Sequence, residues 1–210
     1  MFVKSTMMPH YQCKTAAPNE SLEIALAKLE EHDFQAMPVV EGELFRGMIS
    51  KQIIYRSFYY SNMNKDEFLS SNTVSDVMTN DELYIGQDDV FEKTFTSFKD
   101  FPIVAVVGEN RKFIGIVTRY DVLEQFESAF GTRKKGVRIA FTSIESTGRF
   151  ARLADIIKQI QGNIISITTF DETDNLTRRI VLKIDHVDNK EKLANKLEKS
   201  GFRVLDITEM

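Results

Sequence analysis

The sequence predicts a mixed α/β (α+β) fold in which two β-α-β-β-α repeats precede a smaller β-α-β-β-α-β domain. Three observations predict it: a short motif that recurs in register, apolar residues that alternate as in hairpin strands, and a change of pattern after a basic segment. The 210 residues, 42% of them apolar, suffice for one or two domains with buried cores. We expect a repeat pair over residues 1–128, a linker over 129–136 and a last domain over 137–210.

The recurring motif is Gly47-Met48-Ile49-Ser50, which returns 68 residues later as Gly115-Ile116-Val117-Thr118. In the first copy the apolar residues 37–40 lead into the polar turn 41–43, and in the second copy residues 104–107 lead into the turn 108–110. An apolar run, a polar turn and a second run that ends at the motif are typical of a β-hairpin. We therefore place repeat one at residues 1–60 and repeat two at residues 73–128.

Helices are predicted on both sides of each hairpin, because apolar residues recur there three and four positions apart. The helix before each hairpin has one apolar face, formed by Leu22, Ala25, Leu26 and Leu29 in repeat one and by Val90, Phe91, Phe95 and Phe98 in repeat two. The helix after each motif is marked by Ile53, Ile54 and Phe58, and by Val122, Leu123 and Phe126.

Two further segments make the repeats resemble a known family. Val74-Ser75-Asp76-Val77-Met78-Thr79 looks like the opening segment of a CBS domain, and residues 3–8 are a weaker copy of it. Residues 115–122 fit the closing pattern of that family: Gly, two apolar residues, Thr, two variable residues, Asp and an apolar residue. The chain is thus similar to tandem CBS proteins. The resemblance implies a disc-like pair of repeats that binds an adenine nucleotide between them.

The second motif has the chemistry of a phosphate site. A strand that runs into a helix N-terminus offers backbone N–H groups and a favourable dipole. Thr118 adds a hydroxyl, Arg119 a charge-assisted donor, and Asp121 an acceptor for a ribose hydroxyl. By resemblance, repeat one holds the adenine, through Lys14, Thr15 and Ala16 and through Phe34, Gln35, Ala36 and Met37. The alternative is that Thr118 and Asp121 only cap a helix and Arg119 is a solvated surface charge.

A second, pseudo-symmetric site is implied with Ser50, Lys51, Tyr84, Ile103 and Val104. Here the sequence departs from the family pattern, because Ile53 stands where the second repeat has Asp121. An isoleucine cannot accept a hydrogen bond from ribose, so we expect this site to be weak or empty.

The pattern changes after residue 136. The basic run in 129–136 is typical of a solvated hinge. Strand-like runs at 137–141, 163–170, 177–184 and 204–207 alternate with helical spacing in 150–160 and 193–197, and a polar turn at 171–175 joins the two middle strands. This order predicts a ferredoxin-like domain.

This last domain resembles an ACT regulatory domain at the turn Ser146-Thr147-Gly148-Arg149-Phe150 and at Gly162-Asn163-Ile164. The resemblance implies pairing of domains and a small ligand at that turn. The usual acidic residue before the glycine is out of place, with Glu145 and Ser146 nearby. Two interpretations stay open: amino-acid binding, or a role in dimerisation or spacing.

Composition restricts the classes of function. A formal net charge of -4 argues against a dedicated nucleic-acid binder, and the single cysteine, Cys13, excludes an internal disulfide. The apolar runs are too short to span a bilayer and no secretory segment follows Met1, so we expect a cytoplasmic protein without a membrane partner. The histidines are scattered, and the sequence lacks a phosphate loop, so we assign no catalytic residue, metal ligand or cofactor.

The leading hypothesis is a non-enzymatic regulatory sensor that forms a homodimer and relays nucleotide binding to an unknown protein target. The combination of domains resembles bacterial proteins of the acetoin-utilisation type and cyclic di-AMP-binding CBS proteins. Cyclic di-AMP is therefore the preferred ligand, followed by AMP and ATP. The alternatives are a structural or interaction protein that uses the CBS pair only for dimerisation, and an enzyme with its chemistry in the cleft between CBS and ACT-like parts.

Overall fold

The computed structural model describes residues 1–98, 101–144, 146–172 and 177–210. The chain forms two compact units, Met1–Leu123 and Glu124–Met210. Glu145 and residues 173–175, which the sequence places in turns, lie outside the described residues. Every helix in the described part of the chain is too short or too polar to cross a membrane.

The first unit contains both repeats. Its helices are α1 Leu22–Glu31, α2 Lys51–Tyr59, α3 Lys65–Ser71, α4 Val74–Val77, α5 Thr94–Ser97 and the first part of α6 Arg119–Ala129. Its strands are β1 Met8–Pro9, β2 Ala36–Glu41, β3 Leu44–Ser50, β4 Tyr84–Gly86, β5 Ile103–Val107 and β6 Phe113–Thr118. Short 3-10 helices occupy Val3–Ser5, His10–Gln12, Phe91–Lys93 and Glu109–Arg111.

Repeat one follows the sequence prediction. Helix α1 begins after Ser21, whose hydroxyl accepts a hydrogen bond from the backbone N–H of Ile24, and its predicted apolar face is buried. Strands β2 and β3 form the predicted antiparallel hairpin, with Met37 opposite Ile49. The opening strand is reduced to a parallel bridge between Ala16 and Val39.

Repeat two keeps the same order but has a weaker first helix. Strand β4 lies parallel to β5, which pairs antiparallel with β6. The helix predicted over residues 90–98 is instead the 3-10 turn Phe91–Lys93 followed by the single turn of α5. The Thr94 hydroxyl donates to the carbonyl of Phe91 at 2.7 Å, and such local bonds compete with regular helix. Phe91 is buried as expected, whereas Val90 and Phe95 are exposed.

The opening segment of each repeat packs on the core of the other repeat. Val3 lies in a core cluster with Phe91 and Val104 of repeat two. Val74, on the short helix α4, lies in the cluster of repeat one. The family-like opening segments at 3–8 and 74–79 therefore link the two repeats.

The packing of each opening segment on the other repeat explains why the recurring motif begins with glycine. Strand β1 pairs with β6, with Pro9 opposite Gly115, and a Cβ atom on Gly115 would lie 2.1 Å from the carbonyl oxygen of Met8. A Cβ atom on Gly47 would lie 2.9 Å from the carbonyl oxygen of Thr79 in the same way. Both positions need glycine because the backbone of a crossing segment approaches closely.

The second unit is the predicted ferredoxin-like fold. Its strands are β7 Val137–Ile144, β8 Ile164–Asp171, β9 Thr177–Ile184 and β10 Phe202–Glu209, and its helices are α7 Arg149–Gln159 and α8 Lys190–Lys199. The sheet is antiparallel in the order β10-β7-β9-β8. Apolar residues of β7 and β9 pack under α7 and α8, in a cluster that includes Phe141, Leu182 and Leu197.

The segment predicted as a solvated linker is only partly solvated. Residues 132–135 are exposed, but Gly131 is buried and the Phe130 ring stacks on Phe170 of β8. The sequence pattern missed this packing because it depends on contacts with strands more than 30 residues away.

Candidate functional site

A cavity of about 500 Å³ in the first unit collects predicted residues from both repeats. Six of the ten residues expected at the main site line it: Lys14, Phe34, Gln35, Ala36, Thr118 and Arg119. The volume falls within the range of about 300–1,000 Å³ that is typical of small-molecule sites. Its walls combine apolar groups with a few polar ones, as such sites commonly do.

At one end of the cavity, Thr118 and Asp121 close the start of α6. One carboxylate oxygen of Asp121 accepts from the Thr118 backbone N–H and from the Thr118 hydroxyl, both at 2.7 Å. The Thr118 hydroxyl oxygen in turn accepts from the Asp121 N–H at 3.2 Å. This reciprocal arrangement is a capping box. In this arrangement Thr118 and Asp121 cap the helix, as the alternative interpretation of the motif expected. Asp121 does not line the cavity.

Arg119 brings a positive charge to the cavity. Its backbone N–H donates to the carbonyl of Pro102 at 3.2 Å, and its guanidinium donates to the carbonyl of Phe98 at 2.9 Å. The N–H groups of Thr118, Arg119 and Asp121 are therefore already used within the protein. An anion at this end would depend mainly on the Arg119 side chain, with Lys14 as the cation contributed by repeat one.

Three other expected residues also lie off the cavity wall, each for a local reason. Both backbone groups of Ala16 are bonded to strand β2, through the Pro38 carbonyl and the Val40 N–H. The carbonyl of Thr15 accepts from the ammonium of Lys28 at 3.2 Å. Met37 is 1% exposed and packs in the core of repeat one, because strand alternation turns it away from its neighbour Ala36.

The cavity also contains residues that the sequence did not indicate, among them Gln12, Cys13, Asp33 and Tyr120. Burial raises the pKa of the Cys13 thiol to about 11, and the thiol donates to the Pro9 carbonyl at 3.3 Å. Asp33 adopts a left-handed backbone with φ of 50° at the end of the α1 region. In the sequence Cys13 is next to Lys14 and Asp33 is next to Phe34, and this proximity to predicted site residues was the one signal that could have indicated them.

A second cavity of about 860 Å³ lies at the start of α2 and contains one of the five residues expected at the pseudo-symmetric site. Of the residues expected there, Ser50 lines it, and so does Ile53, the residue in place of an aspartate. Arg56, Asn72 and Asp76 complete much of its polar wall.

The remaining residues expected at the second site lie elsewhere. Lys51 forms an ion pair with Asp33 at 3.5 Å, and Ile103 lines the first cavity. Tyr84 packs under the guanidinium of Arg111, and Val104 is fully buried in the core of repeat two.

In the second unit, the predicted strand-to-helix turn borders a cavity of about 430 Å³. Gly148 precedes α7 with φ of 83°, and Ser146, Thr147, Arg149 and Phe150 line the cavity. The Arg149 guanidinium donates to the Ser146 hydroxyl and to the Ser200 carbonyl. At the other predicted position, the N–H of Gly162 caps α7 by donating to the Ile157 carbonyl.

The sequence matches the model of a known protein family. The CBS domain family model matches residues 3–59 and 74–128, which together are more than half of the chain. Each matched range lies within one of the two repeats described above.

Two solved structures are similar to this chain over 60% of its length. A CBS domain-containing protein from Bacillus anthracis is 27% identical, with a TM-score of 0.56 over 60% of this chain and 93% of that chain. The CbpB protein of Listeria monocytogenes, solved in complex with c-di-AMP, is 27% identical with a TM-score of 0.54, over 60% of this chain and 94% of its own.

A curated relative is longer. An inosine-5'-monophosphate dehydrogenase of Korarchaeum cryptofilum is 23% identical over 171 residues, which are 80% of this chain and 34% of that protein. The chain therefore spans about a third of this relative.

Proposed function

The chain belongs to the CBS domain family, and we propose that it is a regulatory protein that binds an adenine nucleotide in the cavity lined by Lys14 and Thr118. The observation that carries the proposal is the meeting of two groups of residues around one cavity. Phe34, Gln35 and Ala36 come from repeat one, and Thr118 and Arg119 come from repeat two.

The chemistry of the cavity favours an aromatic base with phosphate. Phe34 offers an exposed ring next to the apolar Ala36 and Ile103, a surface on which a planar base can stack. Lys14 and Arg119 supply two positive charges, and Asp33, a carboxylate on the cavity wall, is paired with Lys51. An anionic ligand is therefore favoured.

Cyclic di-AMP is the proposed ligand, with AMP and ATP as the next candidates. Support comes from the CbpB protein of Listeria monocytogenes, whose structure was solved in complex with c-di-AMP and which is similar to 60% of this chain. Binding produces a signal only if two states of the protein differ in affinity. We propose that the protein is a homodimer, that the second unit is an ACT-type regulatory domain, and that a protein target reads the change.

A second candidate is an interaction protein in which the repeat pair is a docking platform. The observation that favours it is a set of exposed apolar side chains on corresponding helices, Tyr55 and Tyr59 on α2 and Tyr120 and Leu123 on α6. Exposed apolar patches of this kind often mark interfaces. Measured affinity for a nucleotide distinguishes the two candidate functions, because a protein that serves only as a docking platform does not need to bind a nucleotide.

Isothermal titration of the full chain with cyclic di-AMP, AMP and ATP tests the proposal. We expect one of them to bind, and Arg119→Ala to weaken it about 10- to 100-fold by removing a charge-assisted hydrogen bond. Arg46→Ala is the matched control, since Arg46 is an exposed arginine paired with Glu41 away from the cavity. Absence of binding, or equal loss in both variants, would contradict a nucleotide site at Arg119.

A further inference from the structure

The cavity at the start of α2 has a charge pattern that differs from that of the cavity at Arg119. Of the described residues on its wall, two are charged: Arg56 on α2 and Asp76 on α4. The two side chains have opposite charges and line the same cavity, but they do not form an ion pair with each other. The wall therefore presents a positive and a negative group with space between them.

The Arg56 guanidinium is unpaired. Within the described part of the chain it has no hydrogen-bond or ion-pair partner, whereas the guanidinium of Arg119 donates to the Phe98 carbonyl. The residue 68 positions after Arg56 is Glu124, so this positive charge is not a feature that the two repeats share. An unpaired guanidinium on a cavity wall favours an anionic group, and its planar fork of donors matches a carboxylate.

Asp76 supplies a negative charge that is held in place by its neighbour. Its Oδ2 atom accepts from the Thr73 backbone N–H at 2.7 Å and from the Thr73 hydroxyl at 2.8 Å. These two hydrogen bonds, first the one from the backbone, lower the pKa of Asp76, so the group is a carboxylate at neutral pH. Both bonds go to the same oxygen, and Oδ1 has no partner among the described residues. That oxygen can accept from a cationic donor.

The rest of the wall is partly polar and partly apolar. Gln52 and Tyr60 lie four residues on either side of Arg56, so they share its face of the helix. The apolar part is formed by Ile53, Phe68, Val77 and Phe101. Such a wall suits a small ligand with a charged end and an apolar side chain.

The start of α2 lacks the groups that would hold a nucleotide. Ile53 stands where the other repeat has an aspartate, and the ammonium of Lys51 is paired with Asp33 at 3.5 Å. Arg56 comes five residues after Lys51, which places its Cα atom about 7.5 Å further along the helix axis. The positive charge of this cavity is therefore displaced from the helix start, and the acceptor for a ribose hydroxyl is missing.

We propose that this cavity binds a free α-amino acid with an apolar side chain, whose carboxylate pairs with Arg56 and whose ammonium pairs with Asp76. At neutral pH an α-amino acid carries both charges next to each other, and the two separated charges of the wall are complementary to them. The apolar part of the wall receives the side chain. This site is separate from the cavity at Arg119 and does not depend on nucleotide binding there.

Isothermal titration of the full chain with each of the proteinogenic L-amino acids, one at a time, tests the site. We expect an apolar amino acid to bind. Its N-acetyl derivative and its methyl ester should each bind about 10-fold or more weakly, because each has lost one of the two charges.

Two variants test the residues. Arg56→Gln should weaken binding of the free amino acid by about 10-fold or more, and so should Asp76→Asn, whose amide oxygen can still accept from the Thr73 N–H. Arg46→Gln is the matched control and should bind as the wild type does, since Arg46 is an exposed arginine paired with Glu41. Arg56 is exposed, so its replacement should leave the fold intact, and circular dichroism checks this for each variant.

Three outcomes would overturn the proposal. Absence of binding by every amino acid would do so and leave the nucleotide site standing, since that site has its own titration. Equal affinity for the free amino acid and for its N-acetyl derivative or methyl ester would show that the paired charges are not used. Binding that persists in Arg56→Gln but is lost in Arg149→Gln would place the amino acid at the strand-to-helix turn of the second unit instead.

Discussion

Cys13 shows how a single side chain takes its chemistry from the cavity wall. Burial raises the pKa of its thiol to about 11 from an ordinary value of 9.0. The thiolate is the reactive form, so at pH 8 its population falls about 100-fold, one factor of ten for each pKa unit. We expect Cys13 in the native protein to react with iodoacetamide about 100-fold more slowly than in the urea-unfolded chain.

Since the chain has one cysteine, the labelled fraction measured by mass spectrometry reports this position alone. Equal rates in the folded and unfolded protein would contradict the burial of the thiol. Saturating nucleotide should slow the native reaction further if the ligand occupies the cavity that Cys13 lines.

Thr118 and Asp121 act as a pair. Each side chain satisfies a backbone N–H of the other at the start of α6, so removing either opens the same capping box. We expect Asp121→Ala and Thr118→Ala each to lower the free energy of unfolding by about 1 kcal/mol without any ligand.

The double variant should lose much less than the sum of the two single losses, because each change removes the same interaction. Urea titration of the four proteins completes this double-mutant cycle. Additive losses would show that the two side chains stabilise the protein independently. Measured without nucleotide, the cycle separates capping from any contact of Asp121 with ribose.

At the level of elements, the motif glycine of β6 sets how closely the crossing segment can approach. Gly115→Ala would place a Cβ atom 2.1 Å from the Met8 carbonyl oxygen, and neither backbone can move without breaking the β1–β6 pairing. We expect a loss of about 2 kcal/mol or more in unfolding free energy. Gly108→Ala is the control in the same hairpin.

The control should cost about 1 kcal/mol or less, because its added methyl group meets the flexible end of the Ile114 side chain at 3.2 Å. Chemical denaturation of both variants, with circular dichroism as the readout, makes the comparison. Similar losses in the two variants would show that the close approach at Met8 has no special cost.

Local pattern predicted most of these elements, and the exceptions have identifiable causes. Helix α1 and the β2–β3 hairpin follow from periodicity, since Leu22 and Leu29 share a face and Met37 alternates with its neighbours. The helix predicted at residues 90–98 was too long because the Thr94 hydroxyl bonds back to the chain. No local pattern could place Val3 in the core of repeat two, since that contact is tertiary.

The residues of the candidate site likewise fall into those that the sequence indicated and those that it did not. The resemblance indicated Lys14 and Phe34, the second motif indicated Thr118, and all three line one cavity. Ala16 was expected to contact the ligand through its backbone, but its N–H and carbonyl groups are hydrogen-bonded to strand β2. The positions of Cys13 and Asp33 depend on how the two repeats pack, and that packing leaves no periodic signal in the sequence.

For the molecule as a whole, the proposed role is to bind and to signal without chemical conversion of the ligand. The Cys13 thiol and the Thr118 hydroxyl, which both lie on the cavity wall, are hydrogen-bonded within the protein. The Cys13 thiol stays protonated at neutral pH because its pKa is about 11. The Thr118 hydroxyl donates to Asp121 within the cap, so its hydrogen bond is directed into the helix start.

We therefore expect a bound adenine nucleotide to be recovered intact. The full chain is incubated with the nucleotide that titration identifies, at a protein concentration above its dissociation constant, and the ligand is analysed by chromatography after several hours. The Arg119→Ala variant serves as the non-binding control. Conversion that requires the intact site would restore the enzyme hypothesis, because turnover lost with Arg119 must occur where the nucleotide binds. Quantitative recovery together with high affinity is the combination that a sensor needs, since its signal depends on occupancy and not on the rate at which the ligand is consumed.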